Sequence, residues 1–305
     1  MRILVTGSSG FAGTWLTRDL AQAGHHIITD RPSGDRIEIT DLSAVAELLR
    51  AADPDLVIHL AAVAFAPDAE RDAAHALRVN VGGTAGLVDS IRRVARRSAL
   101  IVASSAEVYS PPAQGAGPID ETAATIPTKV YGLSKLAQES VAATAATTGV
   151  RFAIVRPFNH TGPGQRTVFA VPAFASRIIA ARGTGERTIM VGNVDVRRDI
   201  GDVRDTVRAY RLVGEHLVDG RIESGRRFNV ATGIPTRIGD IIDRLGALAH
   251  HPIATQVDPA LIRPGEPSSI IGDATLLRQA TGWSPEIPLD RTLQDVLADI
   301  ERRTA

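Results

Sequence analysis

The chain has 305 residues, 44% of them hydrophobic, and its 34 basic and 34 acidic side chains leave no formal net charge at pH 7. That balance argues against nucleic acid or an anionic membrane surface as partner, and no apolar run approaches membrane-spanning length. The absence of cysteine excludes disulfides and thiolate metal sites, and the eight histidines contain no His-x-x-x-His pair, so no metal centre is expected.

Residues 2–6 predict a short buried strand that starts too early to leave room for a signal peptide, so a cytoplasmic enzyme is expected. Gly7-Ser8-Ser9-Gly10-Phe11-Ala12-Gly13 follows at once, then a helical pattern through Trp15, Leu16 and Leu20 to Gly24. Strand, glycine turn and helix together let a backbone approach a pyrophosphate at the positive end of a helix. A glycine turn alone is a weak signal. His26–Asp30 reads as a second strand. Asp30 stands near the spacing at which an acid binds the adenosine ribose of NAD, and Arg31 beside it suits the extra phosphate of NADP. The two argue in opposite directions. Arg36–Ile39 is expected as a short third strand and Leu42–Ala52 as a helix. Asp41-Leu42 either flanks the adenine or, more simply, supplies Asp41 as the helix cap.

Leu56–Ala62, including Leu60, Ala61 and Ala62, predicts a fourth strand, apolar enough to be buried on both faces. A long helix is expected over 71–96, with Arg92-Arg93 and Arg96-Arg97 on its solvated face. Ala99–Ser104 is a fifth strand, followed by Ser105 and a Pro- and Gly-rich loop over 110–128. A helix bearing Tyr131 comes next, then a sixth strand at Phe152–Arg156. Strands separated by helices argue for a doubly wound parallel α/β sheet. Ligands of such sheets bind at the carboxyl ends of strands, where the glycine turn, Ser105 and Asn159 can converge. The first domain spans 1–160 and regains 196–231. After residue 160 the rhythm loosens into a smaller, partly interleaved α/β domain over 161–195 and 232–305.

Only two of the 34 cationic side chains are lysine, and one, Lys135, stands four residues after Tyr131. A helix puts both on one face, one turn apart. Lysine, unlike arginine, is a compact charge whose pKa shifts readily. An ammonium beside a phenol favours the phenolate and lets tyrosine exchange a proton with a substrate oxygen near neutral pH.

The glycine spacing, a serine at the end of the fifth strand and Tyr-x-x-x-Lys together resemble the extended short-chain dehydrogenase/reductase family, over the whole chain. The resemblance implies a Rossmann-type sheet with a smaller substrate domain. It implies NADPH or NADH bound by Gly7, Ser9, Gly10, Phe11, Ala12, Gly13, Asp30, Arg31, Asp41, Leu42, Leu60, Ala61, Ala62 and Phe158. It also implies that Ser105 orients the substrate oxygen, that Tyr131 is the acid/base, and that Lys135 holds the cofactor ribose. In the motif Ala103-Ser104-Ser105-Ala106-Glu107-Val108-Tyr109 the family pattern selects Ser105 over Ser104. The stretches 156–165, 191–199 and Arg263-Pro264-Gly265-Glu266 are similar to GDP-sugar members. There Asn159 would contact the nucleotide sugar, Arg198 and Arg263 would grip the diphosphate, and Glu266 would bond the ribose. Val57–Ala62, Phe65-Ala66-Pro67 and Arg71-Asp72 resemble the members that reduce a GDP-linked 4-keto-6-deoxy sugar. Glu107 keeps a dehydratase open, because dehydratases use an acid there and reductases carry one too. An epimerase and a non-catalytic dinucleotide sensor stay as alternatives. The resemblance also implies a homodimer through the helices over 71–96 and 131–149, where the face of Ala137, Val141, Thr144 and Ala145 either allows close approach of the partner or belongs to the chain's own core.

Overall fold

A computed structural model describes residues 1–30, 36–113, 115–262 and 265–304. The strands are β1 (Arg2–Thr6), β2 (His26–Thr29), β3 (Leu56–His59), β4 (Ala99–Ala103), β5 (Phe152–Pro157), β6 (Asn159–Thr161), β7 (Thr188–Val191), β8 (Arg197–Asp202), β9 (Arg227–Val230), β10 (Pro235–Arg237), β11 (Ala254–Val257) and β12 (Ser269–Ile270). The helices are α1 (Phe11–Gln22), α2 (Leu42–Ala52), α3 (Ala66–Arg71), α4 (Ala73–Leu77), α5 (Gly83–Val94), α6 (Val130–Ala143), α7 (Ala170–Thr184), α8 (Val203–Val218), α9 (Ile238–Leu248), α10 (Thr275–Thr281) and α11 (Leu289–Thr304).

Six parallel strands form the main sheet in the order β2-β1-β3-β4-β5-β9. Side chains alternate across a strand, so β1, β3, β4 and β5 supply two cores. Ile3, Val5, Ile58, Ile101 and Val155 pack with α1 and α8 on one face. Leu4, Val57, Leu100, Val102 and Ile154 pack with α2 and α5 on the other. The continuous apolar runs of these strands follow from burial on both sides. This is a Rossmann-type sheet. Order reverses between β1 and β3, so the strand ends near that crevice face a ligand site.

Three local expectations are corrected. Arg36–Ile39 forms no strand. β2 lies on β1 at that edge, and Ile37 and Ile39 instead pack onto the core beside α2 and α5. The fourth strand ends at His59, not Ala62. The helix over 71–96 is interrupted: Asp72 ends α3 and caps α4, accepting from the His75 amide at 2.9 Å, and a π-helical turn at Arg78–Gly82 leads into α5.

β8 does not join the main sheet. It pairs with β6 and β12 in parallel and with β10 antiparallel, while β7 and β11 form a separate two-stranded ribbon. α7, α9 and α11 close a third core over this region through Ile178, Ile241, Leu245, Leu293 and Ile300. α8 and β9 return the chain to the main sheet. β6 follows β5 after a single residue, Phe158, and so joins the main sheet to the sheet that carries Arg198. Among the described residues no helix is long and apolar enough to cross a membrane.

Candidate active site

The glycine turn is shaped by close approaches. Gly7 has φ +71°, and a Cβ there would lie 2.7 Å from the Ala61 backbone nitrogen, so the turn sits directly on the segment after β3. A Cβ on Gly13 would collide with the Gly7 carbonyl. At Gly10 the nearest protein atom would be that same carbonyl at 3.2 Å, a tight but adjustable contact. Gly10 is also the N-cap of α1; no side chain caps it and no acid stands in the first turn. The first-turn N–H groups are thus left for an anion. A polar groove of about 480 Å³ opens here, lined by Ser9, Gly10, Phe11, Pro163, Gly164 and Arg204 among others. These features fit the pyrophosphate of a dinucleotide. The Phe11 ring stacks on His160 with 6.1 Å between centroids, while Ala12 is half-buried in the first turn of α1.

Asp30 is buried, and both its oxygens are engaged within the turn: Oδ2 accepts from the Gly7 amide at 2.9 Å and Oδ1 from the Ser8 hydroxyl at 2.5 Å. Arg31 lies outside the described residues. Asp41 caps α2 through the Ala44 amide at 3.1 Å, the simpler of its two expected roles. Leu42 is half exposed beside Gly86. Leu60, Ala61 and Ala62 line the chain after β3, where Thr6 holds the Leu60 and Ala61 amides. Phe158 packs into the core against the Tyr109 ring and Gly272.

Ser104 and Ser105 point in different directions. Ser104 is buried and gives its hydroxyl to Glu139 at 2.5 Å. Ser105 caps the short 3₁₀ turn Ala106–Val108, accepting from the Glu107 amide at 3.1 Å, and hydrogen-bonds the Tyr131 side chain. Tyr131 stands in the first turn of α6, where Glu70 accepts from its amide at 3.4 Å. A Cβ on the next residue, Gly132, would meet the Glu107 carbonyl, so this glycine lets α6 close against the serine loop. Burial first, and the Glu107 carboxylate second, push the Tyr131 phenol far above its ordinary value, with Ser105 opposing them.

Lys135 follows one turn later and is buried. Its Nζ donates to the Ala103 carbonyl at 2.8 Å and to Gln138 Oε1 at 2.9 Å. Burial brings it down to about 8, against the pull of Glu139 upward. The expected lowering of the phenol by this ammonium is therefore corrected. The charge faces the end of β4, and Tyr131 is held in its acid form.

The residues expected at the nucleotide end lie on other elements. Asn159 is exposed at the start of β6. Arg198, on β8, is nearly buried. It donates to the Arg197 and Pro267 carbonyls at 2.8 and 3.0 Å and pairs with Glu266 at 2.7 Å. Arg263 lies outside the described residues. No group of three metal-ligating side chains is found among the described residues.

The profile of the NAD dependent epimerase/dehydratase family matches residues 3–231. The chain belongs to that family. It is 34% identical over 304 residues to the GDP-6-deoxy-D-mannose reductase of Pseudomonas aeruginosa, covering 99% of this chain and 98% of that one. To the GDP-6-deoxy-D-talose 4-dehydrogenase of Aggregatibacter actinomycetemcomitans it is 29% identical over 286 residues, 92% of each chain. It superposes on the structure of RMD from Pseudomonas aeruginosa complexed with NADPH with a TM-score of 0.90 at 33% identity, covering 99% of this chain and all of that one.

Several residues packed around Lys135 and Ser105 are not singled out by the sequence: Ser104 as a partner of Glu139, and Gln138, Glu139, Arg156 and Tyr109. One signal was present. Tyr131, Lys135 and Glu139 follow at steps of four, which places all three on one helix face.

Proposed function

We propose that the protein reduces the 4-keto group of GDP-4-keto-6-deoxy-D-mannose, giving GDP-6-deoxy-D-mannose (GDP-D-rhamnose), with NADPH or NADH as reductant. Near-full-length similarity to a GDP-6-deoxy-D-mannose reductase carries this reading, and the geometry around Tyr131 supports it. A ketone reduction needs an acid at the carbonyl oxygen. Tyr131 is kept protonated by burial and by Glu107, and Ser105 sits against it as a second donor.

The glycine turn, the open start of α1 and the segment 60–62 would hold the dinucleotide, and Lys135 would meet its ribose. When bound, the reduced nicotinamide would supply a hydride, one hydrogen nucleus with two electrons, to carbon 4. Tyr131 then passes its proton to the oxygen that forms, and Ser105 donates a hydrogen bond to that oxygen. Asn159, Arg198, Arg263 and Glu266 would hold the nucleotide end. The domain division at about residues 160 and 232 belongs to this reading; within 196–231 only α8 and β9 return to the main sheet, while β8 pairs with β6, β10 and β12 and carries Arg198 on the substrate side.

Glu107 favours a second reading. Its carboxylate acts on Tyr131, as an acid/base beside a ketone would in a GDP-mannose 4,6-dehydratase. One assay separates the two. Absorbance of NADPH, and separately of NADH, is followed after addition of the keto sugar. Stoichiometric loss is expected. Conversion of GDP-mannose to a keto sugar with no net loss of reduced cofactor would replace the reductase by the dehydratase.

A cytoplasmic homodimer completes the reading. α6 leaves Leu133 exposed and Ala137, Val141 and Thr144 at its outer side, whereas Ala145 belongs to the chain's own core beside α5. Leu133→Glu is expected to halve the mass measured by light scattering, and an unchanged mass would remove α6 from the contact.

A further inference from the structure

Beneath Ser105, Tyr131 and Lys135 lies a buried run of polar groups that the reaction above does not use. Glu139, on α6 one turn after Lys135, is 2% exposed. Its Oε1 accepts from Ser104 at 2.5 Å and from Arg156 Nε at 2.8 Å, and its Oε2 from Arg156 Nη2 at 2.7 Å. Arg156, on β5, is 3% exposed and lies over the Tyr109 ring at 4.9 Å. It donates to the Tyr109 hydroxyl at 3.0 Å, which donates in turn to Asn229 at 2.7 Å. Asn229 then ties Ile119 and Asp273 by their carbonyls at 2.9 and 3.1 Å. Two helix residues thus grip consecutive residues of one strand end: Lys135 takes the Ala103 carbonyl and Glu139 the Ser104 hydroxyl. Ser105 is the next residue.

A buried ion pair is poor evidence for stability, because desolvation consumes most of the Coulombic gain, and apolar replacements of the same volume often serve as well. Charges retained here call for another role. We propose that Glu139 is a positioning residue for the proton-transfer site, which aims Ser105 through the Ser104 hydroxyl and supplies the negative charge that balances Lys135. This rests on the reading of Ser105, Tyr131 and Lys135 given above.

The surroundings of Lys135 single out Glu139. On its own helix stand Tyr131, Gln138 and Glu139. From β3 comes His59, which lies between Thr6 and Thr84 and is held neutral by burial and then by Lys135 itself. From β4 comes the Ala103 carbonyl. From β5, Arg156 stands behind Glu139, and on β9 Arg227 lies 3.5 Å from its outer oxygen. Glu107 acts on Tyr131 instead. Glu139 is the acid that opposes the effect of burial on Lys135.

The test measures NADPH consumption with the keto sugar between about pH 6 and about pH 10, alongside a thermal melt and cofactor binding. The double variant Glu139→Gln/Arg156→Met removes both charges and orphans neither. Its turnover at neutral pH is expected to fall a few-fold. The alkaline limb, where Lys135 loses its proton, is expected to move down by a fraction of a pH unit, because the loss of Glu139, the acid that acts on Lys135, outweighs the opposing loss of Arg156. Ser104→Ala leaves the charges in place; it is expected to lower turnover about tenfold without moving the limb or the Michaelis constant. An unmoved limb in a folded double variant would reduce Glu139 to a structural partner of Arg156. Unchanged turnover in Ser104→Ala would remove its part in aiming Ser105. If the double variant does not fold, Arg156→Gln reads the same coupling with the opposite sign. With its neutralising partner gone, Glu139 acts more strongly and the limb rises; a stationary limb there overturns the proposal. Absence of turnover by the unmodified chain is a different result, and it sinks the reductase reading together with what rests on it.

Discussion

At the carboxyl ends of β4 and β5 the charges are buried and held within the main sheet's own framework. Glu139 is shared between Ser104 and Arg156, and Lys135 between Ala103 and Gln138. On β8 the arrangement differs. Arg198 is paired with Glu266, and both are residues that the substrate is expected to need. In the first region the groups expected to serve as acid, hydroxyl donor and ammonium are oriented by neighbouring side chains of the same framework. In the second, the two residues expected to contact the ligand are paired with each other. Chemistry profits from fixed geometry, since a donor already aimed at a forming charge costs no reorganisation. Recognition of a charged nucleotide can instead exchange one partner for another.

The sharpest way to break this comparison is at Tyr131. Tyr131→Phe keeps the ring in its pocket and removes only the proton donor. Turnover is expected to fall by about 10²–10⁴-fold, with cofactor affinity, read by fluorescence titration, retained. Full turnover in this variant would end the proton-donor assignment. The glycine turn offers a second contrast. Gly13→Ala forces a Cβ into the Gly7 carbonyl, so a loss of roughly 1–3 kcal/mol of stability is expected, visible as a lower melting temperature. Gly10→Ala meets its nearest protein atom at 3.2 Å. It should leave the melt in place while weakening NADPH binding. Equal melts for the two variants would mean that the turn relaxes more freely than its packing indicates.

Much of the first region was legible in the sequence. β1, β3, β4 and β5 are continuous apolar runs because both faces are buried, and Tyr131-x-x-x-Lys135 announces itself by helical spacing. Arg36–Ile39 misled because Ile37 and Ile39 alternate like a strand, yet they serve a core contact beside a sheet edge that β2 already occupies. The break in the helix over 71–96 was hidden in Asp72, whose carboxylate caps α4, and in Asn80. The Asn80 side chain turns inward through the π-helical turn to hold Val63 and Ser134. The second region was harder. β6, β10 and β12 have two or three residues, and β8 begins Arg197-Arg198-Asp199, so no apolar run marks them. Arg198 is suggested by resemblance alone, and its pairing with Glu266 depends on long-range geometry that spacing does not encode. Glu139 was within reach at one further helical step, whereas Arg156 and Tyr109 become its neighbours only when β4 and β5 pair.

Acidity gives the next, smaller test. Lys135 is lowered to about 8 by burial, while the Tyr131 phenol is pushed up. The tyrosine therefore stays protonated through the range in which the lysine discharges. If the ammonium is needed, kcat/KM should be flat below about pH 8 and fall about tenfold per pH unit above it. A flat profile to about pH 10 would show that the Lys135 charge does not matter to the rate-limiting step.

The smallest effect should appear in the second region, and its direction matters more than its size. Arg198→Ala removes a cation from the expected diphosphate contact. It should raise KM for the GDP-sugar about tenfold with kcat nearly unchanged, the pattern of lost uniform binding. Glu266→Gln acts differently if the resident pair competes with the ligand. The carboxamide still offers an acceptor to a ribose hydroxyl but no longer neutralises Arg198. KM should then stay within about threefold of its original value or fall, since the lost charge-assisted bond to the ribose and the weakened neutralisation of Arg198 offset each other. A rise as large as that of Arg198→Ala would mean that the Glu266 charge is itself needed by the nucleotide. The pair would then be part of the finished site, and the contrast between the two regions would disappear.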